Sequence, residues 1–379
     1  HMRKVKVSIS LKRLFSIIMI SIFIIAAMPV DYIRADEPVQ DGSKSNPYIV
    51  TNFEEFKKGI NKGYIKLAND IDFTKYIYME VDSSYKGGID LNGHILNFET
   101  RNSRYEYGIS VKNKSSSGCG LFEITDSNPS AVHEGYVNSE GEPLTGGIIT
   151  GFRYDMDSSA GGTTCCLSIS NLNCVLEGVT FYDNTTGGGG SCINKIGANG
   201  TLEINKCKFY DNKSNHWASC VWVGIARSDN RKDACLITDS VFKGNYGKYT
   251  STVATSSENC VIKNCLFENN KCDSGGTLSV SHYGTLEVVD TDVTGNVCAS
   301  DEEDEYTTAG IFIDSCGKLV LNGKVNITGN TYNNKENNLI FNFNGIDRFP
   351  IVLGERFDAV SKAGLKVSKD AINYAYKVI

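Results

Sequence analysis

Two places in the sequence hold side chains that could do chemistry. The first is His282, in the stretch Ser281, His282, Tyr283, Gly284, with Asp290 and Asp292 close behind. A histidine with paired carboxylates can run acid–base hydrolysis. A lone histidine beside a turn is read here as merely exposed, and no residue is assigned as catalytic. The second place is richer, because His216, Trp217 and Trp222 put both tryptophans of the chain in one stretch, followed by Arg227, Asp229, Arg231, Lys232 and Asp233. Aromatic faces beside a polar fork suit sugar binding by stacking and hydrogen bonding. The expected ligand contacts are His216, Trp217, Arg227, Asp229, Arg231 and Asp233, with Trp222 assigned to the core. The acidic run Asp301, Glu302, Glu303, Asp304, Glu305 has calcium-ligand chemistry, yet a block of like charges is usually just solvated. No metal site and no cofactor are expected.

The elements that must position these residues are repeats. The phrase LEGVTFYDN at 176–184 returns as LEINKCKFYDN at 202–212, and its asparagine recurs behind an apolar residue at Phe181/Asn184, Phe209/Asn212, Phe242/Asn245, Phe267/Asn270, Val293/Asn296 and Ile327/Asn330. The spacings are 28, 33, 25, 26 and 34 residues, a period that signals a solenoid. A second apolar run follows each asparagine: Cys192-Ile193, Cys220-Val221, Val253-Ala254, Leu278-Ser279 and Ile311-Phe312. Aligned this way, it begins eight residues after the asparagine in the first four coils and fifteen after it in the fifth. Length variation is thereby confined to turns. The runs are short and β-rich with Gly, Asn, Asp or Ser between them, which leaves no room for a helix. Two or three strands per coil, stacked about 4.8 Å apart, are expected.

Within this register each column has a packing role. Five positions before the asparagine stand Val179, Cys207, Ser240, Cys265, Thr291 and Val325, all small, which implies a narrow core. The phenylalanines should stack on one another. The asparagines should form a ladder of amides from coil to coil, tolerating left-handed backbone. Of the thirteen cysteines, Cys174, Cys235 and Cys260 stand ten positions before their asparagines, and Cys192 and Cys220 eight after theirs. Cys235 and Cys260 would be neighbours in adjacent coils, near enough for a disulfide, but in-register strands rarely suit that bridge, and buried thiols are the preferred reading.

These coils resemble the right-handed parallel β-helix of the pectin-lyase-like superfamily, in its surface-protein branch with coils of the form L-x-I-x-x-C/V-x-F-x-x-N. The resemblance implies an all-β fold, a right-handed parallel β-helix solenoid with a short N-terminal capping helix. Enzymes of that superfamily act mostly on polysaccharides. A pectate-lyase-like site needs clustered acidic residues for calcium and an arginine base, and a polygalacturonase-like site needs paired aspartates near Gly-His-Gly. Neither set is present, since the stretch at 281–284 lacks the leading glycine.

Upstream of the repeats, Asn52 and Glu55 make a capping box, and Phe53, Phe56 and Ile60 share a helical face. A helix there would cover the open strand edge. The expected organisation is a signal peptide at 1–35, an N-terminal cap of strand, helix and strand at 36–84, the β-helix at 85–345, and a last coil with C-terminal cap at 346–379.

The signal peptide is read from five basic residues in the first thirteen and a fifteen-residue apolar run from Leu14 to Met28. That run is short for a membrane span of about 20 residues. Removing 1–35 moves the formal charge from −6 to −11, which disfavours nucleic acid and anionic membrane as partners. The chain is therefore expected to be a secreted or cell-surface monomer with no membrane span in its mature part. It has no LPxTG signal or lipobox cysteine, so it is read as freely secreted or anchored through residues outside this chain. The leading functional reading is an adhesin-like module binding polysaccharide or a host or cell-surface glycan without catalysis. The alternatives are a polysaccharide lyase or glycoside hydrolase with a divergent site, and a structural spacer.

Overall fold

The computed structural model describes residues 39–99, 107–115, 118–154, 164–188, 190–197, 199–224, 235–256, 259–300, 307–314, 316–341, 351–358, 361–363 and 365–367. The chain divides into His1–Asp41 and Gly42–Ile379, and the fold below is that of the second unit.

Its strands sort into four long sheets. The first has 11 strands, from Tyr48–Val50 to Ile351–Leu353, and the second has 10, from Ile71–Asp72 to Lys362–Ala363. The third has 8 very short strands, from Arg153–Tyr154 to Lys335–Glu336, and the fourth has 10, from Ile77–Val81 to Leu365–Val367. The chain visits them in rotation. Asn173–Glu177 lies in the first sheet, Thr180–Tyr182 in the second, Thr185–Thr186 in the third and Ile193–Ile196 in the fourth, before Leu202–Asn205 returns to the first. Neighbours in each sheet are thus one circuit apart and pair in parallel, except at the end of the third sheet, where Thr331–Tyr332 pairs antiparallel with Lys335–Glu336. This all-β arrangement is compatible with a parallel β-helix. Each repeat makes four strands rather than two or three, because two residues at 185–186 and their equivalents suffice for a ladder step.

The helix Phe53–Ile60 is the one helix among the described residues. Asn52 Oδ1 accepts from Glu55 N–H at 3.0 Å, while the Glu55 carboxylate reaches back to Thr51 N–H at 2.8 Å, one residue beyond the usual box partner. Phe53, Phe56 and Ile60 are buried as their spacing requires. Phe53 and Phe56 meet Phe73 edge-on at 5.2 and 5.1 Å, and the contacts continue through Phe98 to Phe152. A continuous apolar core runs from Val50 to Phe341.

The repeat columns pair in register. Phe181, Phe209, Phe242, Phe267, Val293 and Ile327 are successive strand partners. The column containing Cys207 and Cys265 is buried, and hydroxyls there serve the neighbouring backbone. Cys207 N–H donates to Ser240 Oγ at 3.1 Å and Cys265 N–H to Thr291 Oγ1 at 3.2 Å. The asparagines are fully buried, and each donates both its N–H and its Nδ2 to the Oδ1 of the next. The left-handed backbone is not theirs. It belongs to the residue before, Asp183, Asp211, Gly244, Asn269, Gly295 and Gly329, with φ from 48 to 68°. Turning the chain one residue early leaves the asparagine pointing inward, where its amide can bond across coils.

One alignment is corrected. The fourth sheet pairs Ile193 with Val221 and Val253, so Cys192 and Cys220 share a row with Thr252 rather than Val253. The second run begins nine residues after the asparagine in those two coils. All thirteen cysteines are free thiols, and Cys235 pairs with Cys260 as strand partners.

An antiparallel hairpin, Val132–Val137 with Pro143–Thr145, leaves the circuit. Its tip reaches three coils of the second sheet's side. Ser139 N–H donates to Asp211 at 2.9 Å, and Glu140 takes Lys243 Nζ at 3.0 Å and Asn269 Nδ2 at 3.2 Å.

Candidate functional site

The one-residue shift in register decides where Trp222 points. In the strand Val221–Gly224, Val221 and Val223 belong to the core cluster, so alternation sends Trp222 to the outer face of the fourth sheet. Trp222 is therefore not the core residue that its aromatic character suggested. Its row continues through Ala254, Ser279 and Phe312, each one coil further on. Two large rings stand at the ends, about 14 Å apart at a coil step of about 4.8 Å, and two small residues lie between them.

The result is a trough of about 450 Å³ on the outer face of that sheet. Ala254 and Ser279 lie in its floor row. Trp217 contributes from the turn before the sheet, and Ser256, Ser281, His282 and Asp314 line it from the strand ends beyond. Gly224 fixes the Trp222 platform, because a Cβ there would stand 3.0 Å from the indole, and its absence lets the ring lie over the backbone. Below the floor, Thr250 Oγ1 donates to Ser279 Oγ at 3.0 Å and holds that hydroxyl in place.

Among the sequence-derived contacts, Trp217 lines the trough and is 38% exposed. Its ring tilts against Tyr249 at 5.0 Å. His216 packs edge-on to Tyr249 at 5.1 Å and to Trp217 at 5.9 Å. Burial, and then the nearby Lys248, push the His216 imidazole below its ordinary range, favouring the neutral ring. His216 buttresses the aromatic wall and is not among the lining residues. Arg227, Asp229, Arg231 and Asp233 lie outside the described residues, as do Asp301, Glu302, Glu303, Asp304 and Glu305.

His282 is exposed, and it also lines the trough. Its Nδ1 stands 2.9 Å from Ser281 Oγ and 3.3 Å from Ser256 Oγ. With Tyr283 it occupies both left-handed positions of a tight turn, φ 48 and 67°, closed by Gly284 N–H to Ser281 O at 2.9 Å. A comparable pair of left-handed residues elsewhere is Asn333 and Asn334, a side-chain type that tolerates this conformation. Asp290 and Asp292 do not join His282 in the trough. Asp290 Oδ1 accepts Lys324 N–H at 2.8 Å, and Asp292 lies on the second sheet. Asp314 is thus the carboxylate among the described lining residues.

The sequence reading missed Trp222, Ser279 and Phe312. Their signal was alternation about Val221, Val223, Leu278 and Ile311, which for Trp222 is readable only in the correct register. No group of three or more His, Cys, Asp or Glu residues able to hold a metal occurs among the described residues, nor any helix long and apolar enough to cross a membrane. No known family, characterised protein or solved structure matches the chain.

Proposed function

We propose that the chain is a right-handed parallel β-helix of the pectin-lyase-like kind, exported to the cell surface or medium, that binds a glycan in the Trp222–Phe312 trough without cleaving it. The observation that carries this reading is the row itself. Aromatic faces at both ends suit the apolar faces of sugar rings, and the hydroxyls of Ser256, Ser279 and Ser281 suit their hydroxyl groups. A trough open along a regular sheet favours a chain-like ligand. Hydrolysis by paired carboxylates needs two acids across the scissile bond, and Asp314 alone among the described lining residues supplies one. That supports binding over turnover.

The test is a glycan array probed with residues 36–379, run beside a polysaccharide-degradation screen. Trp222→Ala should weaken binding by about ten-fold or more, as loss of an aromatic anchor does, with the fold intact by circular dichroism. Release of reducing or unsaturated ends would replace this reading with the lyase or hydrolase alternative.

A further inference from the structure

We infer that the trough has a closed subsite at Asn194 that takes the acetamido group of an N-acetylated amino sugar, an inference that rests on the glycan reading above. Asn194 is the strand partner of Trp222 and stands one coil before it in the same outward row. Its neighbour Ile193 belongs to the core, so alternation turns the Asn194 side chain toward the face that carries the trough. Asn194 does not line the open trough. It is fully buried, and neither its Oδ1 nor its Nδ2 has a hydrogen-bond partner among the described residues. No other described asparagine is orphaned at both ends of its amide. A buried donor and acceptor left unmade cost the fold stability, so this amide is set for a partner that the chain does not supply.

The cover over Asn194 is tied to the trough wall. A Cβ on Gly190 would stand 3.2 Å from Trp222 Cβ and 3.6 Å from Asn194 Cβ, which places this glycine over the pair. Its N–H is shared between the carbonyls of Trp217 at 2.9 Å and Ala218 at 3.0 Å, and Trp217 lines the trough. A sugar ring stacked on Trp222 therefore lies one coil step, about 4.8 Å, from Asn194. Gly190, with φ 77° and no side chain, is the element that yields between them. The chemistry of the partner follows from what an amide needs. Elsewhere in the protein a buried asparagine amide is satisfied by another amide, as where Asn184 Nδ2 donates to Asn212 Oδ1 at 3.0 Å. An acetamido carbonyl projects further from the sugar ring than a ring hydroxyl does, and it can accept from Asn194 Nδ2 while the hydroxyl beside it donates to Oδ1. The ammonium of a free amino sugar has donors only and leaves Nδ2 unserved.

Calorimetry with residues 36–379 compares three oligosaccharides of equal length: N-acetylglucosamine oligomers, their de-N-acetylated counterparts, and cello-oligosaccharides, which carry a hydroxyl in place of the acetamido group. The acetylated form should bind about ten-fold tighter than either of the others. Asn194→Leu, similar in size and without a polar side-chain atom, should erase that preference; Asn194→Ala, which adds no bulk, makes the same comparison if the leucine variant does not fold. The side-chain N–H resonances of Asn194, identified by their absence in the variant, should shift on adding the acetylated oligomer. Equal or weaker binding of the acetylated form overturns the inference and leaves the glycan reading standing. A preference that persists in the folded variant, or resonances that do not move, overturns it in the same way. Failure of all three to bind while another glycan on the array is bound also overturns the inference alone, and an array with no glycan bound removes both.

Discussion

The coils before Phe152 and those from Asn184 onward solve the same corner with different chemistry. Phe152 and Asn184 hold equivalent positions, each three residues past the strand partners Ile149 and Phe181, and Phe152 N–H donates to Asn184 Oδ1 at 3.1 Å. On the N-terminal side the corner is aromatic. Phe73, Phe98 and Phe152 meet at tilted or edge-on angles of 56 and 80°. On the C-terminal side the asparagine ladder takes the corner, and the phenylalanines one strand earlier stack nearly flat, with Phe181, Phe209, Phe242 and Phe267 at 1, 1 and 10°. Edge-on rings tolerate many relative placements, so irregular circuits and the hairpin at 132–145 can be accommodated there. A ladder of bifurcated amide bonds tolerates one placement, so its coils must match. Uniform coils are what create a flat outer sheet face wide enough for the trough.

The sharpest way to break this comparison is Asn245→Asp. The change is nearly isosteric, but it removes the donors to Phe209 O and Asn270 Oδ1, both at 2.9 Å, and sets a carboxylate among oxygens at a fully buried site. Urea unfolding at neutral pH should show a loss of at least ~3 kcal/mol. The aromatic corner should be more forgiving. Phe98→Leu keeps an apolar group of similar size at a site 1% exposed, and should cost about 1–2 kcal/mol in the same experiment. If the two variants lose equal stability, the corners do not differ in kind.

The smallest effect concerns the end of the ladder. The Asn338 amide, and then Gly329 N–H, hold the exposed Glu336 carboxyl below its ordinary range. A carboxyl whose folded pKa is depressed stabilises above its unfolded value of about 4.3, and that contribution fades as pH falls through the folded value. Glu336→Gln should therefore be slightly less stable than the parent at pH 6, with the gap closing toward pH 3. A gap that widens on acidification would show that the ladder draws nothing from this carboxylate.

The repeats were legible because in-register stacking forces one residue type to recur: the Phe and Asn columns were plain in the spacing. The trough was not legible. Aligning Cys220 with Val253 places Val221 outward and Trp222 inward, and a one-residue slip exchanges the two faces of a strand. Its floor and ends also come from positions 222, 254, 279 and 312, which no local window joins. Trp217 lines the trough from a turn, where face assignment does not matter. The left-handed residue before each asparagine was visible as Asp, Asn or Gly, but the conformational preference had been given to the conserved-looking neighbour.

The asparagine ladder has an electrical direction. From Asn184 to Asn330 every side-chain carbonyl accepts from the preceding coil, while each Nδ2 donates one N–H forward to the next Oδ1, ending at Asn338, and the other back to a backbone carbonyl of the coil before. The seven amide dipoles therefore add along the stack, as peptide dipoles add in an α-helix. Their positive pole falls at Asn338, whose Nδ2 donates to Glu336 at 2.9 Å. Glu336 thus stands to the ladder as an acidic first-turn residue stands to a helix, and the stack carries a built-in polarity from one end to the other.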